Sequence, residues 1–308
     1  MKNKIFLLFA VIILFSSFTE KEVSFVKEFR VSTPANLLIS TSGGSISTSG
    51  YDKDVIEVSF IVKRRNQVMD VTLEKLQELA EIEITQENNN VQISVKKTFE
   101  KGISVGFDVK TPYKTSCNLH TSGGHIDVTD VTGNQEFKTS GGHLSFSNIT
   151  GNINANTSGG HITINNSKAD ISAETSGGHI SMENIEGSIN THTSGGSIKI
   201  TNAKFDVIAE TSGGSIDLDE VQGAIELKTS GGHISLKNIS GSVQAVTSGG
   251  GITADILNLK DKLILKTSGG SISANIPPDL GLDLNLKGSK VNISLKNFSG
   301  NSQKNAWP

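Results

Sequence analysis

Histidine recurs at one fixed interval in the middle of the chain, and this interval could build a metal site. His125, His143, His161 and His179 follow one another at steps of 18 residues. If these steps stack the residues, the imidazoles could share a Zn²⁺, Cu²⁺ or Ni²⁺ ion, since neutral imidazole is a common ligand of such ions. No carboxylate or thiolate accompanies the histidines, and later units also hold Ser or Gly in this place. A polar edge without metal is the competing interpretation.

Other chemistries fit the residues less well. A calcium-binding β-roll needs Gly-Gly-x-Gly-x-Asp, but this chain repeats Gly-Gly-His-Ile-Ser-Leu. A polysaccharide-cleaving β-helix needs paired carboxylates in a groove beside aromatic side chains, whereas Tyr occurs only at 51 and 113 and Trp only at 307. Such an enzyme is therefore the less favoured alternative. We predict no catalytic residues and no cofactor, and a protein that is not an enzyme.

The histidines belong to a repeat that dominates the sequence. Thr-Ser-Gly-Gly begins at 121, 139, 157, 175, 193, 211, 229 and 247. A further copy follows at 267 after an insertion of two residues, and an isolated copy lies at 41. A fixed period of this length indicates one structural unit that is repeated along an axis.

Within each unit the apolar residues alternate with polar ones, as in a strand with one buried face. Counting Thr229 as position 1, Ile234 and Leu236 occupy positions 6 and 8, and Val243 and Ala245 occupy positions 15 and 17. Two Gly in every unit would cost a helix about 2 kcal/mol relative to Ala. The sequence therefore predicts an all-β fold. It should be a single-stranded parallel β-helix with 18 residues per coil, and we expect it to be right-handed.

The alternation also assigns structural roles to the Thr and Gly of the repeat. Thr at position 1 should point inward, where its hydroxyl can bond along the stack or to corner amides. Gly at positions 3 and 4 should supply a positive φ or a close approach of the backbone. Asn at position 10 should form a ladder at a second corner. In the first four units these Thr and Gly residues are Thr121, Thr139, Thr157, Thr175, Gly123, Gly124, Gly141, Gly142, Gly159, Gly160, Gly177 and Gly178.

The chain divides into four parts. Residues 1–19 have the charged start, short apolar stretch and small final residues of a secretory signal peptide, so we expect export and no stable membrane span after cleavage. Residues 20–115 should form a β-rich cap with one short helix, which residues 72–80 predict. Residues 116–296 are the β-helix repeat domain, and residues 297–308 are a C-terminal tail.

Charge excludes one class of partner, and the cysteine content excludes an intramolecular disulfide. The formal net charge is −3 and the chain has no basic run, which argues against a nucleic-acid partner. Cys117 is the single cysteine, so it cannot form an intramolecular disulfide. We expect it to be a small buried residue rather than a reactive thiol.

The repeat and the segment before it resemble the bacterial putative adhesin family, an exported β-helix domain of unknown function. The resemblance rests on residues 39–54, on the segment Val109-Lys-Thr-Pro112 and on the Thr-Ser-Gly-Gly series, and it covers most of residues 23–295. It implies the β-helix fold, but it identifies no receptor and no catalytic residue.

These features together predict an exported adhesin or scaffold at the cell surface, in the periplasm or secreted. The outward-facing side chains of the repeat are mostly Ser, Thr and Asn. They offer hydrogen bonds without a strong electrostatic field, which suits repeated contacts with a surface glycan or protein. Self-association through the solenoid ends is a second predicted interaction. The alternative function is a metal-binding module built on His125, His143, His161 and His179.

Overall fold

The computed structural model describes residues 23–278, and these form a β-solenoid with a single helix. Successive repeat units pair as parallel strands at steps of 18 residues, so that Ile162 pairs with Ile180 and Ile180 with Ile198. The predicted all-β class and the stacked parallel coils are confirmed. The predicted signal peptide and C-terminal tail lie outside the described residues. Within residues 23–278, no helix is long and apolar enough to cross a membrane.

The elements that precede the continuous repeat mix parallel and antiparallel strands. They are β1 (Phe25–Arg30), β2 (Ala35–Thr41), β3 (Ile46–Tyr51), β4 (Val55–Arg64), β5 (Gln67–Val68), α1 (Leu73–Leu79), β6 (Ala80–Glu87), β7 (Asn90–Thr98) and β8 (Ile103–Pro112).

The strands of the continuous repeat are all parallel to their neighbours. They are β9 (Thr115–Thr121), β10 (Ile126–Thr129), β11 (Gln135–Lys138), β12 (Leu144–Ser147), β13 (Thr150–Thr157), β14 (Ile162–Thr175), β15 (Ile180–Glu186), β16 (Ile189–Thr193), β17 (Ile198–Lys204), β18 (Val207–Thr211), β19 (Ile216–Thr229), β20 (Ile234–Thr247), β21 (Ile252–Thr267) and β22 (Ile272–Asn275).

The coils at the N-terminal end do not stack in chain order. Strands β2 and β3 pair in parallel with β9 and β10 on one side, and with β7 and β8 on the other. Thr41 aligns with Thr121, and the Thr41 hydroxyl donates to the carbonyl of Val105 at 2.8 Å. The copy at 41 is therefore a full coil of the solenoid. Residues 20–115 were predicted to form only a cap, but they also contribute this coil. The spacing along the chain does not reveal it, because the copy at 41 is separated from the other copies.

Antiparallel strands and the helix extend the end of the stack. Strand β4 pairs with β8 and β1, and β6 pairs with β7, all antiparallel. Helix α1 begins after Thr72, whose hydroxyl accepts from the backbone N–H of Lys75. It buries Leu76 and Leu79, which join the same apolar core as the coils. A cap of this kind shields the apolar end of a solenoid.

The interior is a set of columns in which each side chain packs on the same position of the next coil. Position 6 is buried from Ile126 to Ile252, and position 8 from Val128 to Ala254. Apolar side chains at position 11 close the second corner. In that corner Asn148, Asn166, Asn184, Asn202 and Asn238 have φ between 51° and 57°, a conformation that Asn tolerates well. The predicted inward columns are confirmed as far as Ile252 and Ala254, whereas Ile272 and Ala274, at the same two positions of the following coil, are exposed. The Asn corner is confirmed.

The first corner is held by the Thr and Gly of the repeat. The Thr139 hydroxyl donates to the carbonyl of Gly124 in the preceding coil at 2.9 Å, and it accepts from the N–H of Gly142 in its own coil. The same pair of bonds recurs at Thr157 and Thr175. Each hydroxyl thus ties two consecutive corners together, as the inward placement of Thr predicted.

The two glycines of this corner differ in their surroundings. A Cβ on Gly142 would lie 1.7 Å from the carbonyl oxygen of Gly124, so the close approach of two backbones requires Gly at position 4. A Cβ on Gly123 would meet nothing within 4 Å, and one on Gly141 would meet its nearest atoms at 4.0 Å. The expected close approach therefore belongs to position 4 and not to position 3.

Candidate binding surfaces

The four histidines of the repeat form a ladder along one exposed edge of the solenoid. The ring centroids of His125, His143, His161 and His179 are 5.0, 4.8 and 5.1 Å apart in sequence order, and the interplanar angles are 14° or less. Because the rings are parallel, their nitrogens point in the same direction and do not converge on one point. No group of three or more His, Cys, Asp or Glu among residues 23–278 has a geometry that could hold a metal ion.

Hydrogen bonding explains why the rings stand in this orientation. Nδ1 of His125 accepts from the backbone N–H of His143 at 2.8 Å, and the same bond links His143 to His161 and His161 to His179. A neutral ring with Nδ1 as acceptor carries its proton on Nε2. A metal at Nε2 would move that proton to Nδ1, opposite a backbone N–H. The ladder geometry therefore does not favour the metal hypothesis.

Serine performs the same task in other coils. The Ser45 hydroxyl accepts from the backbone N–H of His125, and the Ser197 hydroxyl accepts from that of Ser215. Position 5 therefore supplies a side-chain acceptor for the amide of the next coil wherever it holds His or Ser. Both His and Ser provide this acceptor, which accounts for their exchange along the repeat.

Acid should weaken the ladder. Partial burial, together with the charges of His143 and His179, holds the pKa of His161 below its ordinary value. Since the folded-state pKa is lowered, the stability contributed by neutral His161 is present above the unfolded value of about 6.5 and is lost as pH falls through the folded value. Protonation also removes the acceptor for the His179 amide. The effect should be modest, because the ring is largely exposed to solvent.

Urea unfolding at about pH 7.5 and at about pH 5, which lie above and below the pKa of an unfolded His, measures the loss of stability. We expect the unfolding free energy to fall less between the two pH values in His161→Ser than in the parent chain. The serine keeps an acceptor, as Ser197 does, but cannot titrate in this range. An identical pH dependence in both proteins would contradict the assigned role.

A second surface is an elongated polar groove, which the sequence analysis did not identify. Its volume is about 1020 Å³, and it crosses eight coils on the face formed by positions 14 to 16. Positions 14 and 16 point outward, and position 15 forms the floor. The outward side chains are Asn90, Asn36, Ser116, Asn134, Asn152, Asp170, Ser188 and Asp206 in one lane, and Gln92, Leu38, Asn118, Glu136, Asn154, Ser172, Asn190 and Ile208 in the other.

The three carboxylates of the polar groove accept hydrogen bonds from neighbouring coils. Asp170 accepts from the backbone N–H of Ser188 at 2.8 Å, and Asp206 accepts from that of Ala224 at 2.9 Å. Glu136 accepts from the side-chain amide of Asn118 at 2.9 Å. Among residues 23–278, no Lys or Arg lines the groove. The surface therefore combines amides, hydroxyls and carboxylates with the exposed apolar side chains of Leu38 and Ile208.

Comparison with known families identifies the chain. A family model described as Toastrack DUF4097 matches residues 79–307. The chain belongs to the Toastrack DUF4097 family. This result confirms the resemblance seen in the Thr-Ser-Gly-Gly series.

Comparison with solved structures and with curated proteins adds little about activity. A structure described as a putative adhesin (BF0245) from Bacteroides fragilis NCTC 9343 is similar to this Toastrack chain, with 16% identity and a TM-score of 0.35. The similarity covers 83% of this chain and 98% of that one. No curated protein matches the chain.

Cys117 lies on the floor of the groove in this Toastrack solenoid, but its side chain faces the core. It is 2% exposed, and burial raises the pKa of its thiol to about 12. A neutral buried thiol reacts slowly because the thiolate is the nucleophile. We expect a maleimide reagent to leave Cys117 unmodified in the folded protein and to modify it fully in urea. Rapid modification of the folded chain, followed by mass spectrometry, would contradict the inward placement.

Proposed function

We propose that the protein is an exported, non-enzymatic adhesin or scaffold that binds a glycan or a protein in the polar groove. One observation carries this proposal. Apart from Leu38 and Ile208, the groove presents two lanes of hydrogen-bonding side chains across eight stacked coils. Contacts that are individually weak can add along such an array, because a ligand already held at one coil is at high effective concentration for the next.

The contacts of the groove support binding rather than catalysis. Glu136, Asp170 and Asp206 each accept a hydrogen bond from an adjacent coil. These carboxylates therefore help to join the coils, and they lie on coils that are not adjacent to one another. A general acid and base would need carboxyls arranged around one scissile bond.

The proposal places the protein at the cell surface, in the periplasm or outside the cell. The basis is the signal-like pattern of residues 1–19. The groove contains carboxylates, and no cationic side chain of the described residues lines it, which also argues against nucleic acid as the partner. Association of solenoid ends remains part of the proposed scaffold role, because repeat proteins can extend their stacks through exposed ends.

Retention of the purified protein on glycan arrays, matrix proteins and intact cells tests this function. The variant Asn154→Lys fills the groove at an exposed position. The matched control Ser145→Lys places the same side chain at an exposed position of β12, outside the groove. We expect saturable retention that Asn154→Lys weakens and Ser145→Lys does not. Absence of retention on every surface would refute the proposal.

A further inference from the structure

We infer that the ligand of the polar groove is an extended, uncharged polysaccharide strand that runs parallel to the solenoid axis. This inference rests on the proposed function and specifies its ligand. It follows from the shape of the groove, from the groups that line it, from its charge and from an unusual residue at one end.

The shape of the groove favours a linear polymer. It crosses eight coils, and parallel strands lie about 4.8 Å apart, so its length is about 34 Å. A compact small molecule would occupy only part of this length. One coil step is also close to the length of one sugar ring in an extended chain, so successive rings would meet equivalent side chains.

The lining groups match sugar hydroxyls better than they match a peptide. Asn and Gln side chains both donate and accept hydrogen bonds, as do Ser hydroxyls and the hydroxyls of a sugar. An extended peptide is usually bound by adding a strand to a free sheet edge. The groove is instead a sheet face, and its strands already pair with neighbours on both sides, as β13 does with β11 and β14. Recognition must therefore come from the side chains.

Charge selects among the possible glycans. Glu136, Asp170 and Asp206 line the groove, and in the part of the chain that the structure describes no Lys or Arg lines it to balance them. Uronate, sulfate or phosphate groups on a sugar chain would be repelled by these carboxylates. An uncharged chain escapes this repulsion, and its hydroxyls can donate to the carboxylate oxygens.

One end of the groove carries exposed apolar side chains. Ile208 lines the groove and is 47% exposed. Phe205, directly before the groove residue Asp206, is 59% exposed and has a φ of 98°. The same position is Gly in five other coils, with φ between 127° and 155°. A bulky residue with positive φ is strained.

The strain at Phe205 suggests a contribution to binding rather than to folding. An exposed aromatic ring suits the C–H face of a sugar, which is the apolar surface of an otherwise polar ligand. We assign Phe205 and Ile208 to this contact at the end of the groove. The variant Phe205→Gly should therefore raise the melting temperature while it weakens ligand binding. A merely structural Phe205 would change stability without changing affinity.

Calorimetric titration of the full chain with defined oligosaccharides tests the inference. The neutral probes are linear fragments of cellulose, xylan, mannan and galactan of increasing length. Polygalacturonate and a sulfated glycan form the anionic arm. We expect at least one neutral series to bind with an affinity that rises with length and levels off at about eight sugars, the number that about 34 Å accommodates.

The variants locate the binding. Asn152→Lys with Asn154→Lys should weaken neutral-chain binding more than about tenfold, because several hydrogen bonds are lost at once. Ser145→Lys should not change it, and Phe205→Gly should weaken it about threefold to tenfold, as loss of one apolar contact does. Neutral-chain binding that is unaffected by the groove variants would overturn the inference.

The other outcomes separate this inference from the proposed function. Retention on cells or matrix with binding only to anionic glycans, or only to proteins, would leave the adhesin or scaffold role standing and refute the neutral glycan. Retention on cells or matrix without binding to any neutral series would also refute the neutral glycan and leave the adhesin or scaffold role standing. Absence of binding to any glycan, protein or cell would refute both.

Discussion

Replacing Gly178 by Ala is expected to destabilise the solenoid by about 3 kcal/mol or more, because the new methyl group has no space. A Cβ at Gly178 would lie 1.8 Å from the carbonyl oxygen of Gly160 and 2.4 Å from its carbonyl carbon. Both atoms belong to the backbone of the preceding coil, so relief requires the stack to open. Denaturation by urea, followed by circular dichroism, measures the loss.

Gly177→Ala is the matched control. It lies one residue earlier in the same corner, and its Cβ would meet its nearest atom, the Ser158 oxygen, at an ordinary 3.7 Å. We expect a change of less than about 1 kcal/mol, which can even be stabilising because Ala restricts the unfolded chain. Equal effects of the two substitutions would show that the close approach at position 4 does not control the corner.

Ile180→Asp should destabilise the fold by about 4 kcal/mol or more, since it combines loss of a buried apolar side chain with burial of a carboxyl. Ile180 is 1% exposed and lies in the position 6 column between Ile162 and Ile198. No cationic group belongs to this column. The carboxyl must therefore be protonated or draw water into the core, and either change weakens the stack.

The adjacent outward residue provides the control for this substitution. Ser181 lies on the same strand and pairs with Lys199 of the next coil. Ser181→Asp should be nearly neutral, or slightly stabilising, because opposite charges on neighbouring strands attract. An unchanged melting temperature for Ile180→Asp would refute the inward assignment of position 6, whatever the control shows.

The fold could be predicted from the sequence wherever the repeat is regular. The constant 18-residue step fixes the register, and the alternation around Ile180 fixes which face is buried. The inward Thr139 follows from the same alternation. The short helix predicted for residues 72–80 is present at Leu73–Leu79. These features are local, or recur identically in each coil.

Features that depend on how distant segments meet could not be predicted in this way. Strand β2, which contains Thr41, lies between β7 and β9, although both of these strands come later in the chain. Only strand pairing shows this order. The histidine spacing predicted a stacked edge, but not that Nδ1 of His143 would accept from a backbone amide. The polar groove extends across eight coils, and no single unit contains its shape.

The most direct test of the account compares the polar groove with the histidine ladder in one binding assay. Retention on the surface that the parent chain binds best would be measured for Asn152→Lys with Asn154→Lys, and for His143→Ser with His161→Ser, each with and without Zn²⁺. We predict that the groove variant loses retention more than about tenfold, while the ladder variant matches the parent chain in both conditions. Retention that depends on Zn²⁺ and on the histidines, and survives the groove substitutions, would contradict the account.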